Sequence, residues 1–140
     1  MRKLILCAVM TLVAVGAWAQ DEKNTETVSG PKIVFAENKY DFKDITQGDK
    51  VSHTFQFENV GNEPLIISDV LTTCGCTVPQ YPKEPIAPGK SGKIDVVFNS
   101  RGKQGVQNKV VTIVSNAVNS RARVSLVGNV LPAKSDSGVN

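Results

Sequence analysis

The sequence predicts an all-β protein, an immunoglobulin-like antiparallel β-sandwich of about seven strands. Three observations predict it. From Val51 to Asn59 apolar and polar residues alternate, with Val51, His53, Phe55 and Phe57 on one face and Ser52, Thr54, Gln56 and Glu58 on the other. A period of two with one apolar face marks a half-buried antiparallel strand. Similar short runs recur between turn formers over roughly 100 residues, the span such sandwiches occupy. After the first 19 residues no window carries the helical period of an amphipathic helix.

The elements follow in order. Lys32 to Phe35 is a short strand, and Tyr40 to Ile45 alternates apolar with polar residues. Gln47-Gly48-Asp49 supplies turn chemistry ahead of the Val51 strand. Asn59 to Pro64 is punctuated by turn formers, and Leu65 to Leu71 resumes the sheet. Pro79, Pro82, Pro85 and Pro88 then come at three-residue spacing. Proline lacks the N–H that a central strand donates, so this piece reads as a connection crossing between sheets, or as an edge. Gly92 to Asn99 alternates again, with Ile94, Val96 and Phe98 inward. Ser100 to Gly105 is a turn, Lys109 to Asn116 a β-branched strand, and Ala117 to Ser120 a hairpin connection. Arg121 to Asn129 closes the sheet, with Ala122, Val124, Leu126 and Gly128 on one side.

Outside this domain, residues 33–130, the sequence changes character. Arg2 and Lys3 precede an apolar run from Leu4 to Val15 that ends in Gly16-Ala17-Trp18-Ala19. A basic start, a brief apolar core and an Ala-x-Ala end define a secretory signal peptide, residues 1–19. The run falls short of the about 20 residues a membrane span needs. Cys7 lies inside it and leaves with it. Residues 20–32 are polar and end in Ser29-Gly30-Pro31, which predicts a flexible leader. Residues 131–140 form a polar tail.

Cleavage changes the inventory. The whole chain has 16 basic and 13 acidic residues and a net charge of +3. Without Arg2 and Lys3 the mature chain keeps 14 basic residues against 13 acidic ones. Nucleic-acid binding needs clustered positive charge, which this balance does not supply. Both methionines depart with the signal, His53 is the single histidine, and Cys74 and Cys76 are the two cysteines that remain. Export predicts the periplasm or the outside of the cell, where an oxidising environment permits one disulfide.

Reactive side chains gather at Leu71-Thr-Thr-Cys-Gly-Cys-Thr-Val-Pro79 alone. Residues two apart in a regular strand have Cα atoms about 7 Å apart, at the limit for a disulfide, and Gly75 is expected to let the chain pinch. Such a bond closes a small ring, and strain makes a disulfide easier to reduce. Three states are open: a redox pair, half of a metal site, or a structural pair at a strand bend. Known redox motifs place two residues between the cysteines and open a helix, which this stretch does not. A tetrahedral zinc or copper(I) site needs further ligands, and His53 is the one nitrogen ligand on offer. It shares its face with Phe55 and Phe57, where a histidine packs.

Enzymatic patterns are not met. No Gly-x-Ser-x-Gly elbow presents a serine. Gly89-Lys90-Ser91 resembles the end of a phosphate loop, but Glu84 stands where the first glycine belongs. Asp41, Asp44 and Asp49 lack calcium-loop spacing.

Asn59-Val-Gly61 with Pro64-Leu65, Cys74-Gly-Cys-Thr77, Pro85-Ile-Ala-Pro-Gly89, Ile94-Asp-Val-Val-Phe98, and Ser115-Asn116 with Gly128 together resemble the exported bacterial domain-of-unknown-function family 1573. That family is similar to immunoglobulin-like domains of the abnormal-spindle and Hydin type, relatives of major sperm protein. The resemblance implies a β-sandwich in the envelope or outside the cell, with no assigned biochemical activity and a binding or scaffolding role; no catalytic residue and no cofactor is expected. The expectation is therefore a non-enzymatic module for a protein partner of the cell envelope or surface, with no nucleic acid and no membrane span after signal removal. Cys74, Gly75, Cys76 and Thr77 are its marker motif and candidate disulfide. The alternative is a small thiol-redox or metal-binding protein acting through Cys74 and Cys76, with His53 as a weak third ligand. An open sheet edge together with the 72–82 loop is the expected recognition surface.

Overall fold

In a computed structural model of the chain, residues 29–135 are described. The expected signal peptide 1–19, Cys7 within it, the expected leader as far as Val28 and the last five residues of the expected tail lie outside them. Eight strands form: β1 (Ile33–Phe35), β2 (Lys39–Thr46), β3 (Lys50–Asn59), β4 (Ile67–Thr72), β5 (Thr77–Gln80), β6 (Ser91–Asn99), β7 (Gly105–Ser115) and β8 (Arg121–Leu131). Two four-stranded sheets result, ordered β1-β3-β6-β5 and β2-β8-β7-β4. No helix among the described residues is long and apolar enough to cross a membrane.

The all-β sandwich is the predicted one, with amendments. Thr77–Gln80, expected within a connection or edge, pairs with β6 as an eighth strand. β7 begins at Gly105, four residues ahead of the expected start. One pair is parallel rather than antiparallel: β2 runs beside β8 with Tyr40 opposite Leu126 and Ile45 opposite Val130. The three-residue step Ala36–Asn38 carries the chain from β1 in one sheet to β2 in the other.

The inward faces read from the alternation are the core. Phe55, Ile94, Val96, Phe98, Val111, Ile113 and Leu126 are completely buried. Their burial is the dominant favourable term of folding. Val51 and His53 are half-buried at the start of β3, where the sandwich opens. β2 slips register between Asp41 and Asp44. Lys43 there takes a φ of 61°, held by its N–H and Nζ donating to the Asp41 carboxylate at 2.9 and 3.0 Å. The bulge lays Phe42 over Gly128, where any Cβ would collide with the ring.

One end of the sandwich is closed by asparagines. Asn59, fully buried, accepts at Oδ1 from Lys32 N–H (3.2 Å) and Gly61 N–H (3.0 Å). Its Nδ2 donates to the carbonyls of Glu63 (2.7 Å) and Ile86 (2.9 Å). Asn62 Oδ1 accepts from Gly30 N–H, and Asn116 Oδ1 from Ile66 N–H, both at 2.7 Å. Val118 N–H donates to Pro31 O at 2.8 Å. Gly30 and Pro31 are buried by these contacts. The packed domain thus starts at Gly30, three residues ahead of the boundary read from composition, because hydrogen bonds rather than apolar side chains hold its first residues.

Candidate functional site

The opposite end carries the cysteines. β4 is the edge of one sheet and β5 the edge of the other, so the chain between them crosses the open side of the sandwich. Two threonines shape the crossing. Thr72 Oγ1 donates to the Cys74 carbonyl at 3.0 Å. The same carbonyl accepts from Thr77 N–H at 3.3 Å, closing a turn over residues 74–77. Thr77 is buried, 3.8 Å from Cys74 Sγ through its hydroxyl. Asn99 N–H donates to the Cys76 carbonyl at 2.9 Å and fastens the turn to β6.

Cys74 and Cys76 are joined by a disulfide with Cα atoms 5.3 Å apart. The pinch comes with the turn, without left-handed backbone at Gly75. Gly75 stays outside that region, and a Cβ on it would meet nothing. Cys76 packs against the core while Gly75 is exposed.

His53 is not brought to the cysteines. Its ring lies flat on Tyr40, centroids 3.7 Å apart and planes 8° apart, and edge-on to Phe55 at 4.7 Å. Its Nε2 meets Glu37 Oε1 at 2.5 Å. Among the described residues no three of His, Cys, Asp and Glu gather as ligands. A disulfide offers no thiolate, so in this form the pair has no ligand to give.

A shallow groove of about 520 Å³ opens beside the disulfide, lined by Lys50, Gly75, Cys76, Val78, Val97, Asn99 and Arg101. No carboxylate lines it. Lys50 and Arg101 make no ion pair among the described residues, and Val78 is 57% exposed. Lys50 and Arg101 escape a reading of the sequence. They meet only because Lys50 pairs with Asn99 across β3 and β6.

These features define an immunoglobulin-like sandwich domain with a saturated end and a chemically open one. Residues 33–130 match the family described as protein of unknown function (DUF1573), and the chain belongs to that family. Among solved structures, it is similar to a protein of unknown function from Porphyromonas gingivalis W83, with a TM-score of 0.63 and 16% identity, over 78% of this chain and 51% of that one. It is also similar to the ASH / PapD-like domain 7 of human CEP192, with a TM-score of 0.62 and 12% identity, over 93% of this chain and 100% of that one. The YadV chaperone matches with a TM-score of 0.53 and 17% identity, over 77% of this chain and 55% of that one. The chain thus spans about half the length of the Porphyromonas protein. At these identities the likeness is one of fold. No curated protein matches the chain by sequence.

Ile94–Phe98 and Gly128 lie within β6 and β8, and the family-marking turns divide between the two ends. Asn59, Gly61, Leu65, Ile86, Gly89 and Asn116 build the closed end, where Leu65 and Ile86 exchange backbone hydrogen bonds at 2.8 Å and Gly89 N–H donates to Asn59 O. A Cβ on Gly61 would collide with the Gly30 carbonyl. Cys74-Gly-Cys-Thr77 builds the open end.

Proposed function

We propose that this chain is an exported, non-enzymatic protein-binding or scaffolding module of the bacterial envelope, and that it meets its partner with the cysteine end. The observation that carries this reading is the contrast between the ends. At the closed end the asparagines satisfy the backbone internally. At the other, two cations without ion partners among the described residues flank exposed Val78 and the disulfide turn. Mixed apolar and cationic surface of this kind suits a protein partner. Export rests on the signal-like residues 1–19. N-terminal sequencing of the protein from fractionated cells tests it, with Gln20 as the expected first residue and an intact Met1 as the result that removes it.

Partner capture from the cell's own envelope extract tests the binding surface. The chain should capture a specific protein, and the Lys50→Glu/Arg101→Glu pair should lose it without a change in thermal midpoint. Equal capture by both would sink the assignment of this end.

The exposed turn favours a second reading, thiol–disulfide exchange. An external thiolate would attack one sulfur of Cys74–Cys76, form a mixed disulfide and release the other as a thiolate. A second external thiol would complete the two-electron reduction. Thiol labelling of the native protein across buffered redox potentials decides it, since unchanged labelling over the physiological range leaves the disulfide structural.

A further inference from the structure

The two sheets do not end flush. β7 runs from Gly105 to Ser115, whereas β4 covers only Val111–Ser115 before the chain leaves at the disulfide turn. Hydrogen bonds at both ends fix the parity of β7. Ser115 N–H donates to Ser120 O at 3.1 Å, and Thr73 N–H donates to Val110 O at 3.2 Å. In an antiparallel ladder the bonded side alternates with each residue. Odd-numbered residues of β7 therefore turn their N–H and C=O toward β8, and even-numbered ones toward β4. Val106 and Asn108 aim theirs along the line of β4, past the point where β4 has departed. No partner in the described residues meets them, and Val106 is 87% exposed.

At β5, β4 and β1, outward backbone groups are held or missing. In β5 the Cys76–Asn99 bond sets Thr77 and Pro79 facing outward; Thr77 N–H is held by Cys74 O, and Pro79 has no N–H. In β4 the outward Val70 N–H is capped by the Asp69 carboxylate at 2.8 Å. In β1 both outward groups of Ile33 are held by the Asn119 side chain, at 3.1 and 2.7 Å. Such devices keep sheet edges from pairing with other chains. The stretch of β8 ahead of β2 shares its groove with β1. Among the described residues, nothing caps or covers the β7 gap.

Cations gather at its Lys109 end, while Asp41, Lys43 and Asp44 share a groove with Val106. Lys109 ends the gap with its Nζ 5.6 Å from the Phe98 ring. Burial, and then the nearby Lys103, hold its pKa below the ordinary lysine value. Neither lysine has an ion partner among the described residues.

The geometry points to Gly105–Lys109 as a docking edge for one extended, acidic segment of a partner protein, added as a strand in the line of β4 with a carboxylate set against Lys103 and Lys109. The backbone groups of Val106 and Asn108 select an extended chain, and Lys103 and Lys109 select the acid. This rests on the protein-binding reading above and adds to the groove of Lys50 and Arg101 a second contact, on the other sheet, with a stated ligand chemistry.

A synthetic peptide of about eight residues alternating Glu and Val is the probe, with a Lys–Val counterpart and a backbone N-methylated Glu–Val version as controls. Amide hydrogen exchange of the mature chain, read by NMR, should slow about tenfold or more at Val106 and Asn108 when the Glu–Val peptide is added. N-methylation should weaken binding about tenfold, and raised salt should weaken it further. Asn108→Pro, which removes an outward donor unused within the domain, should abolish protection at Val106. Lys103→Glu should reverse the preference toward the Lys–Val peptide and guards against misfolding of the proline variant. Protection at Arg121 and Arg123 instead, equal binding of the Lys–Val peptide, or no binding would overturn the proposal. If the captured envelope partner binds while leaving Val106 and Asn108 unprotected, the docking edge fails and the protein-binding reading stands. Absence of any captured partner removes that reading instead.

Discussion

Asn59 and Ile86 are 27 residues apart in the chain, and the Asn59 side-chain amide donates to the Ile86 carbonyl at 2.9 Å. That bond joins the end of β3 to the proline-rich connection that returns to β6. It is one of four that the buried amide makes, so one side chain fixes the entry of the leader, the β3–β4 turn and the Pro85–Gly89 turn.

Asn59→Leu should therefore cost far more than the loss of a single contact. It strands the N–H groups of Lys32 and Gly61 and the carbonyl of Glu63, and leaves the Ile86 carbonyl with Leu65 N–H alone, each unsatisfied group costing about 1–3 kcal/mol less any relief from water. Urea denaturation should show a stability loss of about 3–5 kcal/mol. An unchanged midpoint would mean that water replaces the amide at no cost.

Gly92 faces Phe57 across β3 and β6, and a Cβ on Gly92 would strike the ring. Gly92→Ala should destabilise by about 1–3 kcal/mol through overpacking. In a Phe57→Leu background the same change should cost much less. A double-mutant cycle measures the difference, and additive effects would show that the ring does not depend on this glycine.

The disulfide closes a loop of three residues, Cys74 to Cys76. Loop-closure entropy for so short a ring stabilises by only about 1.5 kcal/mol. The Cys74→Ser/Cys76→Ser variant should fold, with a thermal midpoint lowered by several degrees at most. Global unfolding of that variant would show that the turn, not the loop entropy, depends on the bond.

Lys109 titrates low because burial and Lys103 disfavour its charged form. In the window between its folded pKa and the higher unfolded one, the unfolded chain binds more protons. Stability contributed by this group therefore rises with pH across that window, and the penalty is fully present below it. Lys103→Glu should move the Lys109 pKa upward, a shift that NMR titration of the side chain would read. No movement would place the two lysines apart in solution.

Much of this was legible in the residues. The alternation in Val51–Asn59 and Gly92–Asn99 named the inward phenylalanines, Ile94 and Val96, because side-chain direction in a strand is a local property with period two. The prolines marked the connection from Gln80 toward β6, and Pro79 sits on an edge as its missing N–H requires. The role of Gly75 was not legible. The residue suggested special backbone, whereas the turn is made by the hydrogen bonds of Thr72 and Thr77 to Cys74 O. Lys50 and Arg101 were equally hidden, since neither belongs to a motif.

By itself, then, the sequence determined the class of fold, the face each strand turns inward and the position of the cysteine bend. Tertiary structure alone decided that β2 lies parallel to β8, that Thr77–Gln80 becomes an edge strand, and that β7 outruns β4 beside the disulfide. The physical reason is range. Burial pattern and turn chemistry are written within a few neighbouring residues, while strand neighbours, register and the lengths left unpaired depend on hydrogen bonds between segments far apart in the chain.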